Sequence, residues 1–213
     1  MTDRAERLPD AEEGESGSSR WGGALLRLGY VALVIVLGAL VVAVSQRTTT
    51  PGAASPEAGF AHDMIVHHAQ AVDMATVMYD KTQDATLKTL ALDIMLTQEN
   101  QIGQMEGWLQ LWGLPIASAD PAMAWMDMAV TSGLMPGMAT PEQLDQLRAA
   151  EGTDAERLFL QLMINHHTGG IHMGEGILSR TQNETVRTLA NSMVTSQQRE
   201  IELMQGMLAQ LPG

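Results

Sequence analysis

The chain has 213 residues, enough for one core of ordinary size with appendages. It has no cysteine, which excludes disulfides and thiolate metal sites, and its net charge of −13 argues against binding nucleic acid, where phosphate neutralisation takes clustered Lys and Arg. With 16 Met against two Phe and two Tyr, sulfur and aliphatic groups must fill most of the interior.

Residues 1–23 are rich in Asp, Glu, Ser and Gly without apolar periodicity and predict a disordered cytoplasmic tail. Residues 24–46 predict a single transmembrane helix, because 28–45 carry no charge and a run of that length spans a bilayer. Arg4, Arg7, Arg20 and Arg27 precede the run and only Arg47 follows closely. The positive-inside rule therefore leaves the N-terminus in the cytoplasm and sends the rest of the chain outside. The rival reading is a cleaved signal peptide ending at Ala43-Val44-Ser45, which gives a secreted chain. Residues 47–56, rich in Thr, Pro, Ala and Ser, form a flexible linker.

The part from 57 to 213 is written twice. Residues 60–109 align without a gap on 159–208, at a constant offset of 99. Phe60, Met64, Met74, Gln98, Ile102, Met105 and Gly107 recur as Phe159, Met163, Met173, Gln197, Ile201, Met204 and Gly206. Two amphipathic helices that resembled each other by chance would share an apolar rhythm but not identical His, Gln and Gly at one offset, so a duplicated helical hairpin is expected. In the first copy, 57–114, apolar positions at three- and four-residue steps predict one helix to about Tyr79 and, after an N-cap at Asp84, a second that ends at Gly113-Leu114-Pro115. In the second copy, 154–213, the last helix is expected to be capped by Asn183. The connecting segment, 115–153, predicts a short helix over 122–129, a loop at 133–138, and a second short helix to about Ala150 opened by the capping box Thr140-Pro141-Glu142-Gln143. Long helices joined by short turns pack antiparallel, so the fold class is all-α, a four-helix bundle made of two hairpins.

Four of the six histidines sit in the repeated Met-Ile-x-His-His motif. With Met64 at zero on a helical wheel, His67 falls at about 300° and His68 at about 40°, one on each side of the inward stripe. His166 and His167 flank Met163 in the same way, whereas His62, Asp73 and His172 fall on the far faces. Packing about a pseudo-twofold axis would bring four imidazoles toward one interior, with Met64, Met74, Met163 and Met173 beside them. Imidazole with thioether suits copper, and thioether suits Cu(I) in particular. Zinc commonly takes Cys or carboxylate beside His, and a di-iron centre would need Glu-x-x-His, which the chain lacks. Gln98 and Gln197 stand where apolar residues are expected and are candidates to hydrogen-bond the imidazoles or each other. Gly169, Gly170, Gly174 and Gly176 predict close helix approach or space for a ligand. Met78, Met95, Met105, Met193 and Met204 read as core filling, and the methionines of 123–138 as an apolar lid or a second soft-metal site.

The repeated Met-Ile-x-His-His, the Met six residues after its second His, the Gln-x-x-x-Ile-x-x-Met at 98–105 and 197–204, and the linking Met-Pro-Gly-Met-Ala-Thr at 135–140 resemble the family called domain of unknown function 305. The resemblance covers about residues 57–211. It implies a ferritin-like fold, export or membrane anchoring in bacteria, copper binding in some members, and metal ligands at Met64, His67, His68, Met74, Met163, His166, His167 and Met173. His172 and Asn165 stand where the family commonly has an acidic residue and Pro. The expected function is therefore that of an anchored extracytoplasmic protein that sequesters copper or passes it to a copper-handling partner, with a second copy of the chain as a further candidate partner. The rivals are copper-dependent redox catalysis, for which the sequence offers no substrate pocket or general base, and a metal-free interaction module whose histidine layer fixes helix register.

Overall fold

The computed structural model describes residues 18–45, 50–131 and 133–212, with side chains from residue 27 to 40 in the first of these. Residues 1–17 of the expected tail and 47–49 of the expected linker lie outside the described residues. The described part is all-helical, with six α-helices. The chain divides between residues 49 and 50 into two units.

The first unit contains α1 (Ser18–Ser45). Its side chains from Leu28, at 67 % exposure, to Leu40 are open to the surroundings. Among the described residues no helix is long and apolar enough to cross a membrane; the side chains at 41–45, the end of the expected span, lie outside the description.

The second unit begins with α2 (Pro56–Lys81), where the Ser55 hydroxyl accepts from the Ala58 amide and Pro56 presets the first turn. α3 (Ala85–Leu111) starts from Asp84, whose carboxylate accepts from the Leu87 amide at 2.7 Å, and ends before Gly113 at φ +71°. α5 (Gly152–Leu178) and α6 (Glu184–Gln210) repeat the arrangement, with Asn183 accepting from the amides of Thr185 and Val186. Each hairpin turn leaves too little chain for anything but antiparallel packing. The sequence left the order of the helices open; the hairpins meet principally through α2 and α5.

Two hydrogen bonds fix how they meet. The Thr82 hydroxyl, just after α2, donates to Glu156 at the start of α5 (2.6 Å), and the Thr181 hydroxyl, just after α5, donates to Glu57 at the start of α2 (2.5 Å). Thr82 and Thr181 are repeat equivalents, and so are Glu57 and Glu156, so the two bonds exchange under a pseudo-twofold axis. α2 and α5 therefore run antiparallel. Each threonine oxygen also accepts from an amide two residues on, Asp84 or Asn183, which ties the hairpin turn to the partner hairpin.

Apolar burial is divided into two clusters. One gathers Met74, Met78, Leu87, Ile94, Phe159, Met163 and Met204; the other gathers Phe60, Met64, Met105, Met173, Ile177 and Met193. Each such side chain, fully buried, contributes about 1.5–3 kcal/mol.

The connecting segment departs from its predicted form. The helix expected over 122–129 is a single 3₁₀ turn, Ala124–Met126, bounded by left-handed Met123 (φ 65°) and Asp127 (φ 59°). Tertiary contacts override the local pattern here. The buried Asp63 carboxylate accepts from the Met123 amide (2.7 Å) and from Trp125 Nε1 (2.8 Å), and the Trp125 ring stands edge-on to Phe60. Met123, Met126 and Met135 are buried in the second cluster, while Met128 is exposed. The capping box of α4 (Pro141–Ala149) is formed as the sequence implies, with both Thr140–Gln143 bonds present.

Candidate metal centre

Between the two apolar clusters lies a polar layer. His67, His68, His166 and His167 are all fully buried. His67 and His166, equivalent in the repeat, face each other across the α2–α5 contact with ring centroids 3.8 Å apart; His68 and His167 lie 6.3 Å from their own neighbours. The same axis pairs the methionines across the repeats. Met64 and Met173 belong to one apolar cluster and Met74 and Met163 to the other, so the layer has two thioethers on each side.

Every ring is held at Nε2. His67 donates to the carbonyl of Pro136 (3.1 Å), His166 to the carbonyl of His67 (2.9 Å), His68 to Gln101 Oε1 (2.7 Å) and His167 to Glu200 Oε2 (2.6 Å). Carbonyl, amide and carboxylate oxygens only accept, so Nε2 carries a proton in every ring, and in the neutral rings of His67, His68 and His166 Nδ1 is left as a bare lone pair. All four Nδ1 atoms are buried without a hydrogen-bond partner. Burial also favours the neutral form of His67, His68 and His166. It lowers His67 to about 4 and His68 to about 3, the neighbouring histidines adding to the effect, and it pushes His166 well below the ordinary imidazole value.

Gln98 and Gln197 are buried in the same region, and both ends of each amide are unpartnered. They neither pair with each other nor hydrogen-bond the imidazoles. That role, expected of them, is taken by Gln101 and Glu200, one turn further along α3 and α6. These two also stand at equivalent repeat positions, but being different residue types they were invisible to a search for identities. Pro136 was likewise unreadable as a partner, since a backbone carbonyl leaves no mark in the sequence.

The glycines of α5 explain how Pro136 reaches the layer. A Cβ on Gly169 would lie 1.8 Å from the Pro136 carbonyl oxygen, and one on Gly170 would lie 2.5 Å from Gln197 Oε1. The first copy has Gln70 and Ala71 in their places. Gln70 grips the same loop from the other side, donating to the Ala139 carbonyl (3.0 Å) and accepting from its amide (2.7 Å). The outer side of this loop walls a groove of about 440 Å³, with the exposed His172 at its edge. His62, also expected away from the site, is buried but bonded to the Pro115 carbonyl (2.8 Å), and Asp73 pairs with Arg148 (2.6 Å).

Among the described residues no three or more His, Cys, Asp or Glu side chains converge in a way that would hold a metal ion by themselves. A coordination sphere in the layer therefore has to combine imidazole with thioether or amide. Imidazoles with buried, unpartnered Nδ1 atoms and buried thioethers form a donor set that fits a soft or borderline ion.

The sequence matches the profile of the domain of unknown function named DUF305 over residues 57–208. The chain belongs to the DUF305 family. Among solved DUF305 structures, a presumed secreted protein from Streptomyces coelicolor is 49 % identical, with a TM-score of 0.70 over 74 % of this chain and 94 % of its own. A DUF305 fragment from Deinococcus radiodurans is 38 % identical, with a TM-score of 0.62 over 73 % of this chain and 97 % of its own. CopM in its Cu(I)-bound form is 27 % identical, with a TM-score of 0.59 over 75 % of this chain and 99 % of its own. CopM has also been solved in Cu(II)-bound, silver-bound and apo forms. Uncharacterized protein L153 of Acanthamoeba polyphaga mimivirus is 36 % identical over 50 residues, and the match spans a third of that protein's length.

Proposed function

We propose that this DUF305 protein binds copper as cargo in the histidine layer of its bundle and sequesters it or hands it to a partner. The observation that carries the reading is the set of four buried Nδ1 atoms without a hydrogen-bond partner, each on the far side of a ring held at Nε2. A buried acceptor left unsatisfied costs about 1–3 kcal/mol. A layer that served only to fix helix register would gain by satisfying these atoms, as a core hydrogen-bond network does. Ligation of a cation removes the cost. Met64, Met74, Met163 and Met173 would supply soft sulfur from either side, and the copper- and silver-bound structures of the relative CopM support ions of that kind.

The domain is further proposed to act outside the cytoplasm, tethered through α1. Support comes from the uncharged run at 28–45, the Arg excess before it, the exposed apolar side chains of α1 and the presumed secreted relative from Streptomyces coelicolor.

Titrating the full chain with Cu(I) and Cu(II) in competition with chelators, beside the His67→Ala/His166→Ala variant, tests the copper reading. Loss of the tight sites in the variant is expected; unchanged affinity would remove these rings from the ligand set. The metal-free alternative predicts instead that chelators and added copper leave the melting temperature where it was. Membrane fractionation before and after alkaline extraction tests the tether.

A further inference from the structure

The two halves of the histidine layer differ in what stands behind the outer ring. His68 Nε2 bonds an amide oxygen, Gln101 Oε1, at 2.7 Å, whereas His167 Nε2 bonds a carboxylate, Glu200 Oε2, at 2.6 Å. The partners occupy one position in the repeat, 33 residues after their histidines in both copies. The inner rings, His67 and His166, bond neutral backbone carbonyls. Among the described hydrogen bonds to the four rings, Glu200 is thus the one anionic acceptor.

Charge is what this interior lacks. Imidazole, thioether and carboxamide are neutral donors, and the layer is closed above and below by apolar clusters. A cation buried there without a counter-charge keeps most of its desolvation cost, and the attraction of a nearby anion grows as the local dielectric falls. Glu200 can meet both demands. Its side chain is 20 % exposed, so the carboxylate stays solvated without a metal, while its oxygen reaches the fully buried His167. A carboxylate behind a ligating imidazole also fixes the ring and strengthens its other nitrogen as a donor.

We propose that Glu200 makes the His167 half of the layer the primary copper position and favours the doubly charged ion there, so that a site duplicated in sequence is unequal in affinity and oxidation-state preference. The inference rests on the copper reading above and deepens it. A symmetric pair of sites would fill together; this pair fills in order, His167 first.

The test uses the full chain in detergent micelles and measures Cu(I) and Cu(II) affinities by chelator competition for the wild type, Glu200→Gln and Gln101→Glu. Glu200→Gln keeps size and an acceptor oxygen but removes the charge. It is expected to weaken the tightest Cu(II) position roughly 10–100-fold and Cu(I) by less, while Gln101→Glu strengthens the weaker position. Equal affinities in Glu200→Gln and the wild type would overturn the inference, as would an equal loss for both ions that tracks a lowered melting temperature. If Gln101→Glu does not fold, the ratio of Cu(II) to Cu(I) loss in Glu200→Gln decides alone. Copper bound by the wild type, lost in His67→Ala/His166→Ala and unaffected in Glu200→Gln sinks this inference but spares the copper reading; a wild type that takes up no copper sinks both.

Discussion

His166 donates its Nε2 proton to the backbone carbonyl of His67, 2.9 Å away, and the two rings lie with their centroids 3.8 Å apart. The pseudo-twofold axis passes between these residues, yet the bond breaks the symmetry, because His67 donates to the Pro136 carbonyl instead. One hairpin thus holds its inner ring through the other hairpin, and the other holds its ring through the connecting loop. Both arrangements leave the same atom, Nδ1, bare inside the bundle.

Stability should fall as the apo protein is acidified through the range where free histidine takes up protons. Burial lowers His67 to about 4 and His68 to about 3 and holds His166 down as well, whereas unfolded histidine titrates at about 6.5. Between those values the unfolded chain binds more protons than the native one. Each ring then removes about 1.4 kcal/mol per pH unit on the way down, and contributes its full stabilisation only above about pH 6.5. Asp63, raised by burial, works in the opposite direction, since the native state takes up that proton first. Melting temperatures are expected to be level above about pH 7 and to drop between about pH 6.5 and 4.5, before exposed carboxylates titrate. A curve with no slope in that window would contradict the neutral, buried state of the rings.

Gly169→Ala should destabilise the fold, although Ala in mid-helix is ordinarily favoured over Gly by about 1 kcal/mol. The new methyl group would overlap the Pro136 carbonyl, 1.8 Å away, and that oxygen is the acceptor that holds His67. Forcing the loop outward is expected to cost about 1–3 kcal/mol, read as a lower urea midpoint. A neutral or stabilising result would mean that the loop does not press on α5.

Asp63→Ala should loosen the connecting segment. The carboxylate holds both the amide of left-handed Met123 and the Trp125 indole. Unsatisfied buried donors cost about 1–3 kcal/mol each. Melting temperature should fall and Trp125 fluorescence should shift toward that of solvated indole, with the larger change at this end of the bundle.

Much of this architecture is legible before any coordinates. Identical residues at a constant offset announce the two hairpins, and Asp84, Asn183 and the Thr140 capping box mark helix starts because capping is a local interaction. The inward position of the four histidines follows from helical periodicity alone. What periodicity does not carry is long-range pairing. Met64 shares one cluster with Met173 and Met74 the other with Met163 because the helices run antiparallel, which no wheel displays. Gln98 and Gln197 drew attention because they are identical, while Gln101 and Glu200 make the hydrogen bonds. The short helix expected over 122–129 gave way because Asp63, some sixty positions earlier, captures its backbone.

The most direct test is histidine 15N NMR of the full chain before and after adding Ag(I), a diamagnetic stand-in for Cu(I). The apo spectrum should show His67, His68 and His166 protonated at Nε2 and bare at Nδ1. Silver should then shift the Nδ1 resonances of these interior rings and leave His62 and His172 unmoved. Shifts confined to His172, or an apo spectrum with the proton on Nδ1, would contradict the account.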